Sequence, residues 1–280
     1  MCESCGCGDP DSTVTLTDLG SGARTVLRAP HAHSHPHGQD IGQLDHAPHR
    51  HGPGGEVIRL DEPVLAANAR IAARNRGWFE GRGVLALNLV SSPGSGKTTL
   101  LERTIASLAG EIEICVIEGD QMTDRDGERI RAAGARTVQI NTGAGCHLEA
   151  DMVASAVETL DPASGSILMI ENVGNLVCPA MFDLGERMKV AVISTPEGDD
   201  KPLKYPHMFR AAGLVLINKT DLAPYLDFDE GACRRNLAEV NPAAEMLSLS
   251  ARTGAGMDAW LDRLRAMLAS VSGTSGSARA

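Results

Sequence analysis

Ser91-Ser92-Pro93-Gly94-Ser95-Gly96-Lys97-Thr98 decides the fold of this chain, because of what stands on either side of it. The run Val84-Leu85-Ala86-Leu87-Asn88-Leu89-Val90 has the length and near-continuous apolarity of a buried strand, and the stretch from Thr99 to Ala109 carries the apolar stripe of a helix. A glycine-rich turn between a buried strand and a helix is the setting of a phosphate-binding loop. Gly94 and Gly96, around Ser95, let backbone N–H groups approach phosphate closely. Lys97 brings a positive point charge to the terminal phosphates, and Thr98, ahead of Thr99, offers its hydroxyl to Mg²⁺. Ser91 stands where the usual pattern has a glycine, whereas Gly-Lys-Thr-Thr is intact.

The base is read from a second strand. Leu214-Val215-Leu216-Ile217 is a short apolar run that delivers Asn218-Lys219-Thr220-Asp221 at its carboxyl end. A carboxylate at Asp221 accepts two hydrogen bonds from guanine N1 and N2, which adenine does not supply. GTP is therefore the expected nucleotide, and a P-loop kinase or ATPase is disfavoured. Ser250-Ala251-Arg252 resembles the Ser-Ala-Lys base-binding loop of GTPases, with arginine in the place of lysine. A third strand, Ile167 to Ile170, ends in Glu171-Asn172-Val173-Gly174-Asn175, similar to the Asp-x-x-Gly phosphate sensor. Glu171 is expected to hold Mg²⁺ directly or through water, and the Gly174 N–H to touch the γ-phosphate. Glu118-Gly119-Asp120, with Thr123, follows a strand from Ile112 to Ile117. Asp120 is the candidate metal or water ligand there, a solvated turn carboxylate being the alternative.

Soft-metal chemistry surrounds this nucleotide core. The seven cysteines include Cys2, Cys5 and Cys7, no secretory signal pattern precedes them, and no run of some 18 apolar residues exists to span a bilayer. A reducing, cytoplasmic setting is expected, in which these thiols ligate nickel rather than pair as disulfides. An unstructured reducible tail is the competing reading. His31, His33, His35, His37, His46, His49 and His51 are seven of the nine histidines, interleaved with Pro36, Pro48 and Pro53. Such a tract cannot pack a core, and its imidazoles suit Ni²⁺, Zn²⁺ or Cu²⁺ as a low-affinity reservoir. A third group, Cys146 and His147 with Cys178, lies after predicted strands whose carboxyl ends share one sheet edge with the nucleotide, so the three can converge on Ni²⁺ or Zn²⁺. Cys115 and Cys233 read as small buried apolar residues.

Strands alternating with helices imply an α/β fold with a doubly wound, mostly parallel sheet. The expected division is a largely disordered Cys/His-rich metal-binding tail over residues 1–55, a P-loop GTPase domain over 56–271, and a polar tail over 272–280. Asp61-Glu62-Pro63 opens a helix reaching Arg76 as an N-terminal extension of that domain. A net charge of −10 and 3% aromatic residues argue against nucleic-acid binding, and no membrane insertion is expected.

In order and density, these blocks resemble the HypB family of nickel-incorporation GTPases. The resemblance rests on Met-Cys-Glu-Ser-Cys-Gly-Cys, the histidine tract, Val90 to Thr99, Glu118 to Gln121, Asn141 to Leu148, Glu171 to Pro179 and Glu197 to Pro206. It implies a slow SIMIBI-class GTPase that forms a GTP-dependent homodimer and loads nickel into the [NiFe]-hydrogenase large subunit precursor beside a HypA-type metallochaperone. It also implies that Cys146, His147 and Cys178 lie at the dimer interface. Ala144 replaces an expected lysine, and Arg252 keeps the charge of its position with another shape. A nickel buffer with an incidental G domain is one alternative. A urease-type nickel GTPase is another, although its Cys-Pro-His motif is here Cys178-Pro179-Ala180.

Overall fold

The computed structural model describes residues 13–28, 62–120, 125–143 and 145–275. Cys2, Cys5, Cys7, the histidine tract, Thr123 and Ala144 lie outside them. Nine strands form one sheet: β1 (Val14–Asp18), β2 (Arg24–Arg28), β3 (Leu85–Ser91), β4 (Ile114–Asp120), β5 (Arg136–Asn141), β6 (Ile167–Glu171), β7 (Met188–Ser194), β8 (Ala212–Asn218) and β9 (Glu245–Ser248). Their spatial order is β2-β1-β5-β4-β6-β3-β7-β8-β9, parallel from β5 to β9. The helices are α1 (Glu62–Arg82), α2 (Lys97–Leu108), α3 (Arg125–Ala132), α4 (Ala150–Leu160), α5 (Cys178–Met181), α6 (Lys201–Lys204), α7 (Pro206–Ala211), α8 (Glu230–Val240) and α9 (Met257–Ser275).

Period-two alternation along β3 splits its side chains between two cores. Leu85, Leu87 and Leu89 face α2 and α9, in a cluster with Leu100, Leu101 and Trp260, while Ala86 belongs to the opposite cluster with Phe79 of α1 and Val153 of α4. Both faces are dry, which is why the parallel strands read as unbroken apolar runs. Each fully buried leucine of β3 contributes about 1.5–3 kcal/mol of apolar burial. Helix α1 presents Asn68, Ala72, Asn75 and Phe79 as one buried stripe at helical spacing. Its asparagines are satisfied: Asn68 accepts from Ala150 N and donates to Asp183 O, and Asn75 donates to the carbonyls of Ala150 and Leu184.

Three boundaries differ from those the sequence suggests. Residues 14–28, assigned to the tail, form a hairpin that joins the sheet: β1 runs antiparallel to β5 with Thr15 opposite Asn141 and Asp18 opposite Val138. Val14 and Leu16 are buried in the α1–α4 core, so the alternation Val14-Thr15-Leu16-Thr17 is a half-buried strand embedded in a polar segment. At the other end α9 continues to Ser275, beyond the boundary drawn at 271. Helix α1 likewise runs past Arg76 to Arg82, where the Arg82 guanidinium stacks 4.8 Å from the Trp78 ring centroid. Strand β7, which the sequence reading did not single out, pairs with both β3 and β8. Among the described residues no helix is long and apolar enough to cross a membrane.

Candidate functional site

The carboxyl ends of the parallel strands and the segments that follow them bring the candidate residues to one edge of the sheet. The turn between β3 and α2 is held open by two glycines in the left-handed region, Gly94 at φ 75° and Gly96 at φ 94°. A Cβ on Gly96 would come within 2.6 Å of Asn218 Nδ2, so glycine is required there by space as well as by φ. Lys97 is 8% exposed, and its Nζ donates to Ser91 Oγ at 2.6 Å. The residue that departs from the glycine pattern is thus the one on which the lysine rests. Burial lowers the pKa of Lys97, an effect opposed by the nearby Glu171 and Glu118.

Thr98 Oγ1 donates to Glu171 Oε1 at 3.0 Å across the base of a cleft of about 540 Å³. Asp120 and Gly174 line the same cleft, and a Cβ on Gly174 would meet Pro93 of the phosphate loop at 3.2 Å. Glu171 Oε2, Glu118 Oε2 and Ser95 Oγ are buried with no hydrogen-bond partner. Orphaned hard oxygens beside the Thr98 hydroxyl suit Mg²⁺ and the polar groups of a triphosphate. The cleft also holds Glu118, which the motif does not favour over Asp120, and Arg129 of α3, which belongs to no motif. Arg129 lines the cleft while paired with Glu102 at 2.7 Å.

The carboxyls are electrostatically loaded. Burial pushes Glu118 up to about 9, with Glu171 and Asp120 adding to the rise, and burial pushes Glu171 up to about 7 against the pull of Lys97 and the Thr98 hydroxyl. Both bind protons more tightly folded than unfolded. The stability they confer is fully present below about 4.5 and is lost as pH rises through about 7 and then about 9. The urea midpoint of nucleotide-free protein is expected to fall from pH 6 to pH 9, and Glu118→Gln to flatten the fall. Equal slopes for the two proteins would show that Glu118 is already ionised at neutral pH.

The residues expected to read the base grip the phosphate loop from the other side. Lys219, at φ 60°, donates from Nζ to Gly94 O at 2.6 Å, and Asn218 Nδ2 donates to Ser95 O at 2.9 Å. Asn218 Oδ1 accepts from Ala251 N, and Ser250 Oγ donates to Asp221 Oδ1 at 2.6 Å. The exposed Arg252 offers its carbonyl to Arg103 at 2.9 Å. In α6, which follows β7, Lys201 Nζ reaches Ser92 Oγ at 3.1 Å and Glu197 Oε1 at 3.3 Å, whereas Lys204 pairs with Asp200 at the surface.

Cys146, His147 and Cys178 converge: one ligand atom from each lies within 4.8 Å of the others, and all three residues are buried. The Cys146 Sγ to His147 Nδ1 distance is 3.6 Å, and the imidazole stacks on Phe182 with centroids 3.9 Å apart. The hydrogen bond with Cys146, then burial, raises the Cys178 thiol pKa, so a cation entering here displaces protons. Two thiols and an imidazole form a borderline-soft donor set suited to Ni²⁺ or Zn²⁺. Cys115 and Cys233 are free, fully buried and packed in the core.

Contiguous bonds join the two centres. Asn172, next to Glu171, accepts from Leu148 N, next to His147, at 3.2 Å. Asn172 Nδ2 donates to Asn88 Oδ1, and Asn88 Nδ2 donates to Glu186 Oε1, which also contacts Lys189. Asn88 interrupts the apolar run of β3 and Asn172 follows the end of β6, a signal present in the sequence but without an assigned purpose until the strands are placed side by side.

The model of the family described as CobW/HypB/UreG, nucleotide-binding domain, matches residues 85–248. The chain is 58% identical to the hydrogenase maturation factor HypB of Rhizobium leguminosarum bv. viciae over 218 residues, 76% of this chain and 73% of that one. To HypB of Escherichia coli strain K12 it is 48% identical over 287 aligned residues, 94% and 98% of the two chains. The crystal structure of HypB from Helicobacter pylori in complex with nickel superposes with a TM-score of 0.68 at 37% identity, covering 73% of this chain and 96% of that one. With a phosphate-binding loop in its expected place and this similarity along most of its length, the chain belongs to the CobW/HypB/UreG family and, within it, to the HypB hydrogenase maturation factors.

Proposed function

We propose that this protein is a GTP-hydrolysing nickel metallochaperone in which the nucleotide state sets the affinity of the Cys146, His147 and Cys178 site for its cargo. The observation that carries the reading is the Asn172 to Leu148 hydrogen bond, since it ties the strand end bearing Glu171 to the loop bearing two of the three metal-site residues. Gly94, Ser95, Gly96, Lys97, Thr98 and Thr99 hold the phosphates, and Asn218, Lys219 and Asp221 with Ser250, Ala251 and Arg252 hold guanine. Thr98, Glu171 and Asp120 would hold Mg²⁺, which would supply charge neutralisation at the phosphates. Lys97 stabilises charge on the phosphates, and the Gly174 N–H reports whether the γ-phosphate is present. Hydrolysis is slow because Asn175, not a glutamine, follows Gly174.

Nickel is the cargo, and zinc competes for the same thiols. Cys2, Cys5 and Cys7 capture it, and the histidines between 31 and 51 hold a reserve. The hairpin supports this division. The chain enters it at Val14 and leaves it at Arg28, two residues opposite one another at the carboxyl edge that carries Cys146. A GTP-dependent homodimer in the cytoplasm then passes nickel, with a HypA-type metallochaperone, to the hydrogenase large subunit precursor. That the H. pylori relative was crystallised in complex with nickel supports the choice of cargo.

The test is Ni²⁺ affinity at fixed pH in the GDP and GTP-analogue states. A difference of roughly 5–150-fold is expected, and by linkage nickel should change nucleotide affinity by the same factor. Cys178→Ala should erase the difference while leaving nucleotide binding intact. Equal affinities in both states would make the metal site and the GTPase independent functions.

A further inference from the structure

His147 has one ring nitrogen facing the thiols and one facing away. Nδ1 lies 3.6 Å from Cys146 Sγ, whereas Nε2 is buried without a hydrogen-bond partner. Phe182, stacked on the ring at 3.9 Å, restricts its rotation. The acidic side chain placed toward Nε2 is Glu149, whose Oε1 is 4.0 Å away, too far for a hydrogen bond and near enough to become one with a small shift. Glu149 is not left to itself. Arg28, the last residue of β2, donates from Nη1 to Glu149 Oε1 at 2.9 Å and from Nη2 to Glu149 Oε2 at 2.7 Å, and also reaches Asp151 Oδ2 at 2.9 Å. A two-point guanidinium contact fixes both the position and the plane of a carboxylate.

We propose that Glu149, held by Arg28, is the outer-sphere hydrogen-bond acceptor of His147, fixing the imidazole with Nδ1 as the metal-binding nitrogen and Nε2–H turned to the carboxylate. A neutral imidazole carries its proton on one nitrogen only, so a ring that gives the Nδ1 lone pair to a cation must keep the proton on Nε2. That donor is buried, and Glu149 is the carboxylate placed to receive it. Both Glu149 oxygens are already committed to Arg28, which keeps the carboxylate out of the cation's own ligand set while leaving lone pairs for Nε2–H. Carboxylates in this position orient the ring and raise the basicity of the ligating nitrogen. Arg28 and Glu149 are therefore positioning residues, and the amino-terminal hairpin is a structural part of the internal metal site.

The inference rests on Cys146, His147 and Cys178 binding metal, so the test separates the two. The full chain is prepared with Cys2→Ala, Cys5→Ala and Cys7→Ala to silence the amino-terminal thiols. Zn²⁺ affinity is measured by chelator competition, and the imidazole nitrogens of ¹⁵N-histidine protein are observed by NMR with Zn²⁺ bound. The His147 signals are assigned from His147→Gln. Glu149→Ala is expected to weaken Zn²⁺ binding by roughly 10–100-fold. Arg28→Ala should weaken it in the same direction, and Arg28→Lys should recover part of the loss. Asp151→Ala, which removes a partner of Arg28 but none of His147, should stay within about twofold of the parent, and thermal melts of the metal-free variants should remain close to it. The NMR spectrum should show metal at Nδ1 and a slowly exchanging proton on Nε2 that becomes fast-exchanging in Glu149→Ala. Metal at Nε2, or a Glu149→Ala affinity within twofold of the parent while Cys178→Ala loses binding, overturns the positioning role and leaves the metal site standing. If Cys178→Ala also keeps full affinity, the site itself falls, and the inference with it.

Discussion

Asp221→Asn is expected to exchange guanine for xanthine preference, shifting the ratio of GTP to XTP affinity by on the order of 10⁴-fold. The magnitude follows from what each partner would lose. In the proposed site the carboxylate would accept from guanine N1–H and from the exocyclic amine, whereas an asparagine amide would put a donor where one of those acceptors stood. A buried donor facing a donor costs both their hydrogen bonds to water. Xanthine has a carbonyl at that position and accepts from the new amide. The geometry favours a clean exchange, because Asp221 is oriented by Ser250 Oγ at 2.6 Å, and Ser250 Oγ in turn accepts from Thr253 N. An asparagine keeps an oxygen for Ser250. Displacement of a fluorescent nucleotide by GTP, XTP and ATP reads the result. ATP binding the unmodified chain as tightly as GTP would remove guanine from the assignment altogether.

The parallel half of the fold was legible because its strands are buried on both faces. Val84–Val90, Ile167–Ile170 and Leu214–Ile217 are apolar in nearly every position, and each ends in a polar loop whose residues carry the chemistry. The hairpin was not legible for the opposite reason. Strand β2 is an edge with Val26 56% exposed, and β1 buries only Val14, Thr15 and Leu16. Three buried residues between a cysteine motif and a histidine tract give too short a periodic signal to outweigh the composition around them. Strand β7 was lost differently: Val190-Ala191-Val192-Ile193 is a plain apolar run, and the Glu197 to Pro206 block that follows it carries a resemblance but no residue with an assigned role that calls for a strand before it.

The candidate sites divide along similar lines. Residues held by a local turn, such as Gly94, Gly96 and Lys97, could be placed from spacing alone. The pairing of Cys146 and His147 with Cys178 required the added premise that loops at one sheet edge meet, and the strand order meets that premise through β5, β4 and β6. Contacts across the sheet between residues to which no motif assigns a role were invisible. Arg28 on Glu149 spans 121 residues and Asn172 on Asn88 spans 84, and nothing in either local sequence names its partner.

Lys97→Ala is expected to lower GTP turnover by roughly 10²–10³-fold, the scale on which removal of one preorganised charge at a reacting centre is felt. Lys97 sits at the start of α2 with its ammonium on Ser91 Oγ, inside a cleft that also holds the carboxyls of Glu118, Glu171, Asp120 and Asp126 and the cationic side chains of Arg129 and Lys219. Without a phosphate the ammonium is a buried cation whose attraction to those carboxyls only partly offsets its desolvation, since its pKa is lowered. A polyphosphate replaces the Ser91 hydroxyl with oxygens of full charge, so the lysine is placed in advance and needs little reorganisation when charge develops. Removing it leaves the same carboxyls facing the phosphates with one cation fewer. The effect should appear in single-turnover hydrolysis and in GTP affinity, and Lys97→Arg should not restore turnover, because the planar guanidinium does not fit a pocket shaped around Ser91. Nickel bound through Cys2, Cys5 and Cys7 should be retained by Lys97→Ala, as that segment lies upstream of the first strand. The nickel-buffer reading and the metallochaperone reading then part company in cells: hydrogenase activity should collapse in a Lys97→Ala strain that still accumulates nickel on the protein. Normal hydrogenase activity in that strain would make the nucleotide site incidental to nickel delivery.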